Sequence, residues 1–247
     1  MHSTVKVTDK IYWLGANDRR TNLFENMWPI PQGVSYNSYL IVDEKIALVD
    51  TLEYGSSDDY LDKIEDLIDG KPIDYLIINH MEPDHSGAIK TIVEKYPDIK
   101  LVGNLKTFKI VDAYFGLKDM QYMVEDGDEI SLGHHILKFI MTPWVHWPET
   151  MMTYDLTEKV LFSGDAFGSF GTLDGGIFDD EIEFEEYYEA EMRRYFSNIV
   201  GKYSNMVQKA FKKLEGIDIK YICATHGPIW RTDINKVLSL YDKLSKF

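Results

Sequence analysis

Cysteine is almost absent from this chain: Cys223 stands alone, so no internal disulfide and no thiolate-rich metal cluster can form. Basic residues are scarce as well. Twenty-six Lys and Arg face 41 Asp and Glu, a formal net charge of −15. That balance argues against nucleic acid or an anionic membrane as partner, because each demands a basic face. No apolar, uncharged run reaches the ~18 residues needed to span a bilayer. The first residues, Met1-His2-Ser3-Thr4-Val5-Lys6, lack a basic segment followed by an apolar one, so no secretion signal is read there. Together these absences predict a cytoplasmic protein. Internal repeats, low-complexity tracts and Pro/Gly-rich linkers are missing too, which favours one large α/β domain over residues 1–247.

The apolar residues present, 45% of the chain with 13% aromatic, fill a sizeable core. Their spacing predicts an early strand over 5–14 and a hairpin 40–49 turning at Asp43-Glu44-Lys45. A helix with Leu61, Ile64, Leu67 and Ile68 on one face follows, started by Ser56 or Ser57 and stopped near Gly70. A strand ends at Ile78. Helices are expected over 88–96, 106–114 and 233–244, and strands at 100–102 and 221–224. Between residues 121 and 161 the pattern turns to hairpins, with Glu125-Asp126-Gly127-Asp128 and Asp155-Leu156-Thr157-Glu158 as turns. The longest helical stretch runs over 187–214, bent at Gly201. Two halves, each with strands first and helices after, predict a four-layer αββα sandwich. Between Asp179 and Glu191 eight of thirteen residues are acidic, read as a solvated helix start or a docking face for a basic partner.

The most informative stretch is His80-Met81-Glu82-Pro83-Asp84-His85, four potential metal ligands directly after an apolar strand. Two imidazoles and two carboxylates exceed what one ion usually takes from so short a segment, so the economical reading is a two-metal site. His146, Asp165 and His226 each lie just beyond another apolar run, where α/β sheets gather functional residues. His134 and His135 follow Gly133 without a carboxylate neighbour in sequence and read as plain surface or strand residues; His2 reads as a terminal residue without a role.

These residues resemble the metallo-β-lactamase superfamily, whose loop reads H-x-H-x-D-H with a later His, Asp and His. Here Glu82 replaces the second His. With Pro83, Ser86-Gly87, Ser35-Tyr36-Asn37-Ser38-Tyr39, His146-Trp147-Pro148-Glu149-Thr150 and Ser163-Gly164-Asp165-Ala166-Phe167-Gly168, the chain resembles the di-iron domain of the flavodiiron proteins. The resemblance implies one iron held by His80, Glu82 and His146 and another by Asp84, His85 and His226. It also implies that Asp165 bridges both, beside an oxo, hydroxo or O2-derived ligand. Three carboxylates offset three of the four charges of a ferrous pair and favour iron over softer-ligand metals. Ions roughly 3.5–4 Å apart can hold both ends of one diatomic molecule. Tyr195 reads either as the tyrosine this family places beside its irons or as one more aromatic in a helical stripe. Phe24, Trp144 and Trp147 read first as core residues, and otherwise as a wall against solvent.

The family's flavodoxin domain is expected to be missing, since no Ser/Thr-rich phosphate loop for FMN occurs in these residues. The reading put first is therefore an O2-binding di-iron sensor that signals to a partner protein. An alternative is an O2 or NO reductase fed by a separate redox donor, and a second alternative is a zinc hydrolase. A homodimer is a further expectation.

Overall fold

The computed structural model describes residues 4–246, so His2 lies outside the described residues. The chain opens with eight strands: β1 (Val5–Lys6), β2 (Ile11–Trp13), β3 (Ala16–Asp18), β4 (Leu23–Phe24), β5 (Trp28–Pro29), β6 (Val34–Tyr36), β7 (Tyr39–Val42) and β8 (Ile46–Val49). Helix α1 (Ser57–Ile68), β9 (Tyr75–Ile77), the one-turn α2 (Pro83–Ser86), α3 (Ile89–Lys95), β10 (Lys100–Gly103), α4 (Leu105–Phe115) and β11 (Gln121–Met123) complete the first half. The second half runs β12 (Glu129–Ser131), β13 (Ile136–Met141), β14 (Met151–Asp155) and β15 (Val160–Gly164). It ends with α5 (Glu189–Tyr195), α6 (Ser204–Leu214), β16 (Tyr221–Ala224) and α7 (Ile234–Leu244).

Among the described residues, a seven-stranded sheet in the order β1-β2-β7-β8-β9-β10-β11 faces a five-stranded sheet in the order β12-β13-β14-β15-β16. Strands β8, β7 and β15 are buried almost throughout, as expected where both faces of a sheet are covered. Helices flank the pair, giving the four-layer αββα sandwich of the metallo-β-lactamase type. Local chemistry sets the helix ends. The Asn104 side chain accepts from the N–H groups of Lys106 and Thr107 to start α4, and Gly116, at φ 70°, ends it. No helix of the described residues is long and apolar enough to cross a membrane.

Strand direction explains where function gathers. β8, β9, β10 and β11 run parallel, and β15 pairs parallel with β16. β13 reaches β15 through two antiparallel steps, so it too points the same way. The C-terminal ends of β13, β15 and β16 therefore share one edge of their sheet.

Four expectations need correction. Residues 5–14 form two short strands, β1 and β2, paired antiparallel rather than one. Glu125–Asp128 joins no hairpin, because β11 belongs to the first sheet and β12 to the second; local turn chemistry does not distinguish a crossover from a hairpin. Asp84 and His85 lie on the helical turn α2, not in open loop. The long helix is broken over 196–203, where its turns first widen and then tighten. A Cβ on Gly201 would lie 3.1 Å from the Phe196 carbonyl oxygen, so glycine suits the break. Most of the acidic stretch is exposed as expected, Asp180, Glu181, Glu183, Glu185 and Glu186 among it, while the buried Asp179 accepts hydrogen bonds from Arg231, Thr232 and Asp233 N–H groups and Arg231 pairs with Asp180 and Glu181.

Candidate metal centre

Asp50, just past β8, organises the ligand segment from below. Its Oδ1 accepts from the backbone N–H groups of Asn79 (2.8 Å) and His80 (3.3 Å), and its Oδ2 from the Asn79 amide (3.0 Å). Burial pushes its carboxyl up to about 6. Pro83 then starts α2 at a position that needs no N–H donor. Gly87 ends that turn against the chain: a Cβ there would sit 2.7 Å from the Pro83 oxygen and 2.8 Å from the Tyr54 nitrogen. The tight turn swings Asp84 and His85 to the side opposite His80 and Glu82.

Two groups of side chains result. Glu82 Oε2 lies 3.3 Å from His80 Nε2 and 3.1 Å from His146 Nε2. Asp84 Oδ2 lies 3.3 Å from His85 Nε2 and 3.2 Å from His226 Nε2. Asp165 stands between them with its oxygens divided. Oδ2 faces His80 (3.4 Å) and His146 (3.1 Å); Oδ1 faces His85 (3.0 Å) and His226 (3.8 Å). Within each group one donor atom per residue lies within 4.8 Å of the others. All seven residues singled out in the sequence thus meet in one place.

The surroundings suit cations. His226 Nδ1 is 2.7 Å from the Ser35 carbonyl oxygen, which can only accept, so the proton sits on Nδ1 and the Nε2 lone pair faces inward. His80 Nδ1 meets Glu149 Oε1 at 2.9 Å, the carboxylate support common to metal-binding imidazoles. Thr225 donates to Asp165 Oδ1 at 2.7 Å. Both Asp84 oxygens, Asp165 Oδ2 and the Nε2 atoms of His85 and His226 are buried without a hydrogen-bond partner. Leaving such groups unpaired costs on the order of 1–3 kcal/mol each, more when charged, so so many in one pocket call for positive charge. Protons answer that need when no cation is bound. Burial opposes charge on His85 and His146, yet Asp84 and Asp165 beside the first and Asp165 and Glu82 beside the second lift both to about 9. Burial likewise works to raise Asp165 and Glu82, and the neighbouring imidazoles outweigh it, holding both carboxyls well below the usual range. The donor set fits a pair of metal ions.

Several partners escaped the sequence reading. Glu149 appeared there only inside a resembling motif, and Asp50 and Glu25 did not appear. Glu25 sits in the tight β4–β5 turn, where it and Asn26 take positive φ (50° and 58°). Its hydrogen bond to Glu82, then burial, pushes its carboxyl up to about 8. The Phe24 ring lies 5.3 Å from His226 and Trp147 5.2 Å from His80, so both rings wall the centre. Trp144 is not core: it is exposed and lies against Tyr203. Tyr195 is fully buried, its ring 5.4 Å from His226 and its hydroxyl without a partner. His134 is exposed as expected, but His135 is buried against Asp155.

Several known proteins are similar to this chain. The sequence model of the ODP family beta lactamases matches residues 34–227. A nitric oxide reductase of Moorella thermoacetica is 36% identical over 245 residues, spanning 98% of this chain and 61% of that protein. The anaerobic nitric oxide reductase flavorubredoxin of Pectobacterium atrosepticum is 33% identical over 245 residues, 97% of this chain and 48% of the relative. Among solved structures, rubredoxin oxygen:oxidoreductase from Desulfovibrio gigas superposes with a TM-score of 0.94 at 32% identity, over 99% of this chain and 62% of that one. The chain therefore spans about half to three fifths of the length of these relatives.

Proposed function

From a chain that belongs to the ODP family of beta lactamases, the metallo-β-lactamase-like domain of the flavodiiron proteins, we propose a di-iron centre that reduces NO or O2. Electrons would come from a flavin- or rubredoxin-type carrier. The observation that carries this reading is the division of Asp165, one oxygen toward each histidine–carboxylate group.

His80, Glu82 and His146 would hold one iron, Asp84, His85 and His226 the other, with Asp165 bridging. A ferrous pair supplies two electrons side by side where one diatomic molecule, or two NO, can bind. The chain's own residues do the rest. Glu82, Asp84 and Asp165 set the charge of the site, and Glu82 replaces an imidazole with a harder ligand suited to iron. Glu149 and the Ser35 carbonyl fix two imidazole orientations. Phe24, Trp147 and Tyr36 exclude water from the histidine edges. The buried Tyr195 hydroxyl, without a partner and on a ring beside His226, would donate a hydrogen bond toward the site.

Turnover is favoured over signalling because the relatives with named activities are reductases. Reducing two NO to N2O and water takes two electrons, and reducing O2 to water takes four, so a carrier must reload the irons. The sensor and the zinc hydrolase use the same pocket and are separated by experiment. Anaerobically reconstituted di-ferrous protein, mixed with a reduced flavoprotein or rubredoxin, should consume NO or O2 over many cycles. A single stoichiometric reaction followed by a long-lived adduct, under every donor, would instead favour the sensor. Full hydrolytic activity with zinc and no iron would favour the hydrolase.

A further inference from the structure

A second histidine–carboxylate group lies at the other end of the five-stranded sheet. β14 runs from Met151, whose N–H bonds to the Asn79 carbonyl oxygen beside the metal centre, to Asp155. Four residues at about 3.4 Å put Asp155 roughly 14 Å away along the strand. There the approach to β13, the end of β14 and the turn into β15 bring His135, Asp155 and Glu158 together. One donor atom of each lies within 4.8 Å of the others.

We propose that His135, Asp155 and Glu158 hold one divalent transition-metal ion, zinc being the natural occupant, separate from the centre at the opposite sheet end.

Three observations carry this. His135 and Asp155 are fully buried, with Nδ1 3.0 Å from Asp155 Oδ2. Glu158 Oε2, beside this pair, is also buried and meets no hydrogen-bond partner, which a merely structural His–Asp pair does not require. The backbone is held without any ion. Asp43 Oδ2, from the β7–β8 turn of the other sheet, accepts from the N–H groups of His134 (2.7 Å) and His135 (2.8 Å), while Lys10 occupies Asp43 Oδ1. Asp155 in turn accepts from the N–H groups of Thr157 and Glu158, both at 3.1 Å. The group is thus built before a ligand arrives.

One imidazole and two carboxylates match a divalent ion in charge, and they leave room for water as the remaining ligand. Without an ion, burial opposes charge on His135 and the Asp155 hydrogen bond overcomes it, raising its pKa, so metal uptake should release a proton. The ion would pin three segments at the sheet end remote from the chemistry, a stabilising role rather than a catalytic one.

The test uses the full chain with its iron pair loaded anaerobically, then dialysed against zinc chloride, with iron and zinc counted by mass spectrometry. The wild type should keep two irons and gain one zinc. Glu158→Gln and His135→Gln should keep two irons and gain none at the same free zinc. Zinc should raise the melting temperature of the wild type but not of Glu158→Gln, whose change at a partly exposed turn spares the core. No zinc beyond the iron pair, zinc gained only as iron is lost, or equal uptake by the wild type and both variants would each overturn the proposal.

Discussion

The two halves of the centre are built alike in ligands and unlike in support. Around His80, Glu82 and His146 the support is carboxylic: the Glu149 carboxylate backs His80, and the Glu25 carboxyl, pushed up to about 8, holds its proton against Glu82. Around Asp84, His85 and His226 it is neutral and aromatic: the Ser35 carbonyl backs His226, with Phe24, Tyr36 and Tyr195 packed about its ring. A carboxylate behind an imidazole raises its basicity, whereas a carbonyl mainly orients it. The first half is therefore tuned by charge, the second by shape, and only Asp165 belongs to both.

Removing what the halves share should have the largest effect. Asp165→Ala is expected to lose both irons, leaving near zero per chain by metal analysis; a full complement would show that Asp165 is no bridge. Removing a support specific to one half should split them. Glu149→Gln is expected to weaken metal binding by roughly 10–100-fold at one of the two sites only, measured by competition with a chelator. Equal weakening of both sites would erase the contrast drawn here. Changing one ligand, Glu82→His, should shift the first half toward zinc, read as a higher zinc-to-iron ratio after loading from an equimolar mixture.

Acidity should act on both halves. In the metal-free chain His85 and His146 hold protons up to about 9, and iron must displace them. Apparent iron affinity should therefore rise as pH rises toward about 9 and level off above it, with protons released on binding. A flat profile between neutral pH and 9 would contradict this. The smallest effect is expected at Tyr195→Phe, which removes one hydroxyl. Iron content should stay at two, and turnover should fall by about fivefold, the worth of one hydrogen bond of ~1 kcal/mol.

How much of this was legible in the sequence follows from the range of each interaction. The hexapeptide His80–His85 is local, and each of His146, Asp165 and His226 follows an apolar run whose end is visible, so the seven residues could be picked out before the fold was known. Their supports could not. Glu149 reaches His80 across 69 residues and the Ser35 carbonyl reaches His226 across 191. A backbone oxygen leaves no mark in a side-chain pattern at all. Glu25 depends on a two-residue turn with positive φ, which Asn26 tolerates but a glutamate adopts rarely, and no glycine announced it. His135 looked like a surface residue because its carboxylate neighbours lie across a hairpin rather than beside it in sequence. The sandwich itself was legible from strand–helix order, while the crossover at Glu125–Asp128 was not, since a turn does not say which sheet comes next.

The bridged pair is tested most directly by Mössbauer and electron paramagnetic resonance spectroscopy of anaerobically reconstituted protein, with iron counted in the same sample. Two irons per chain, magnetically coupled in the wild type, is the result expected from Asp165 facing both groups. One iron per chain, or two that behave as isolated ions, would contradict it.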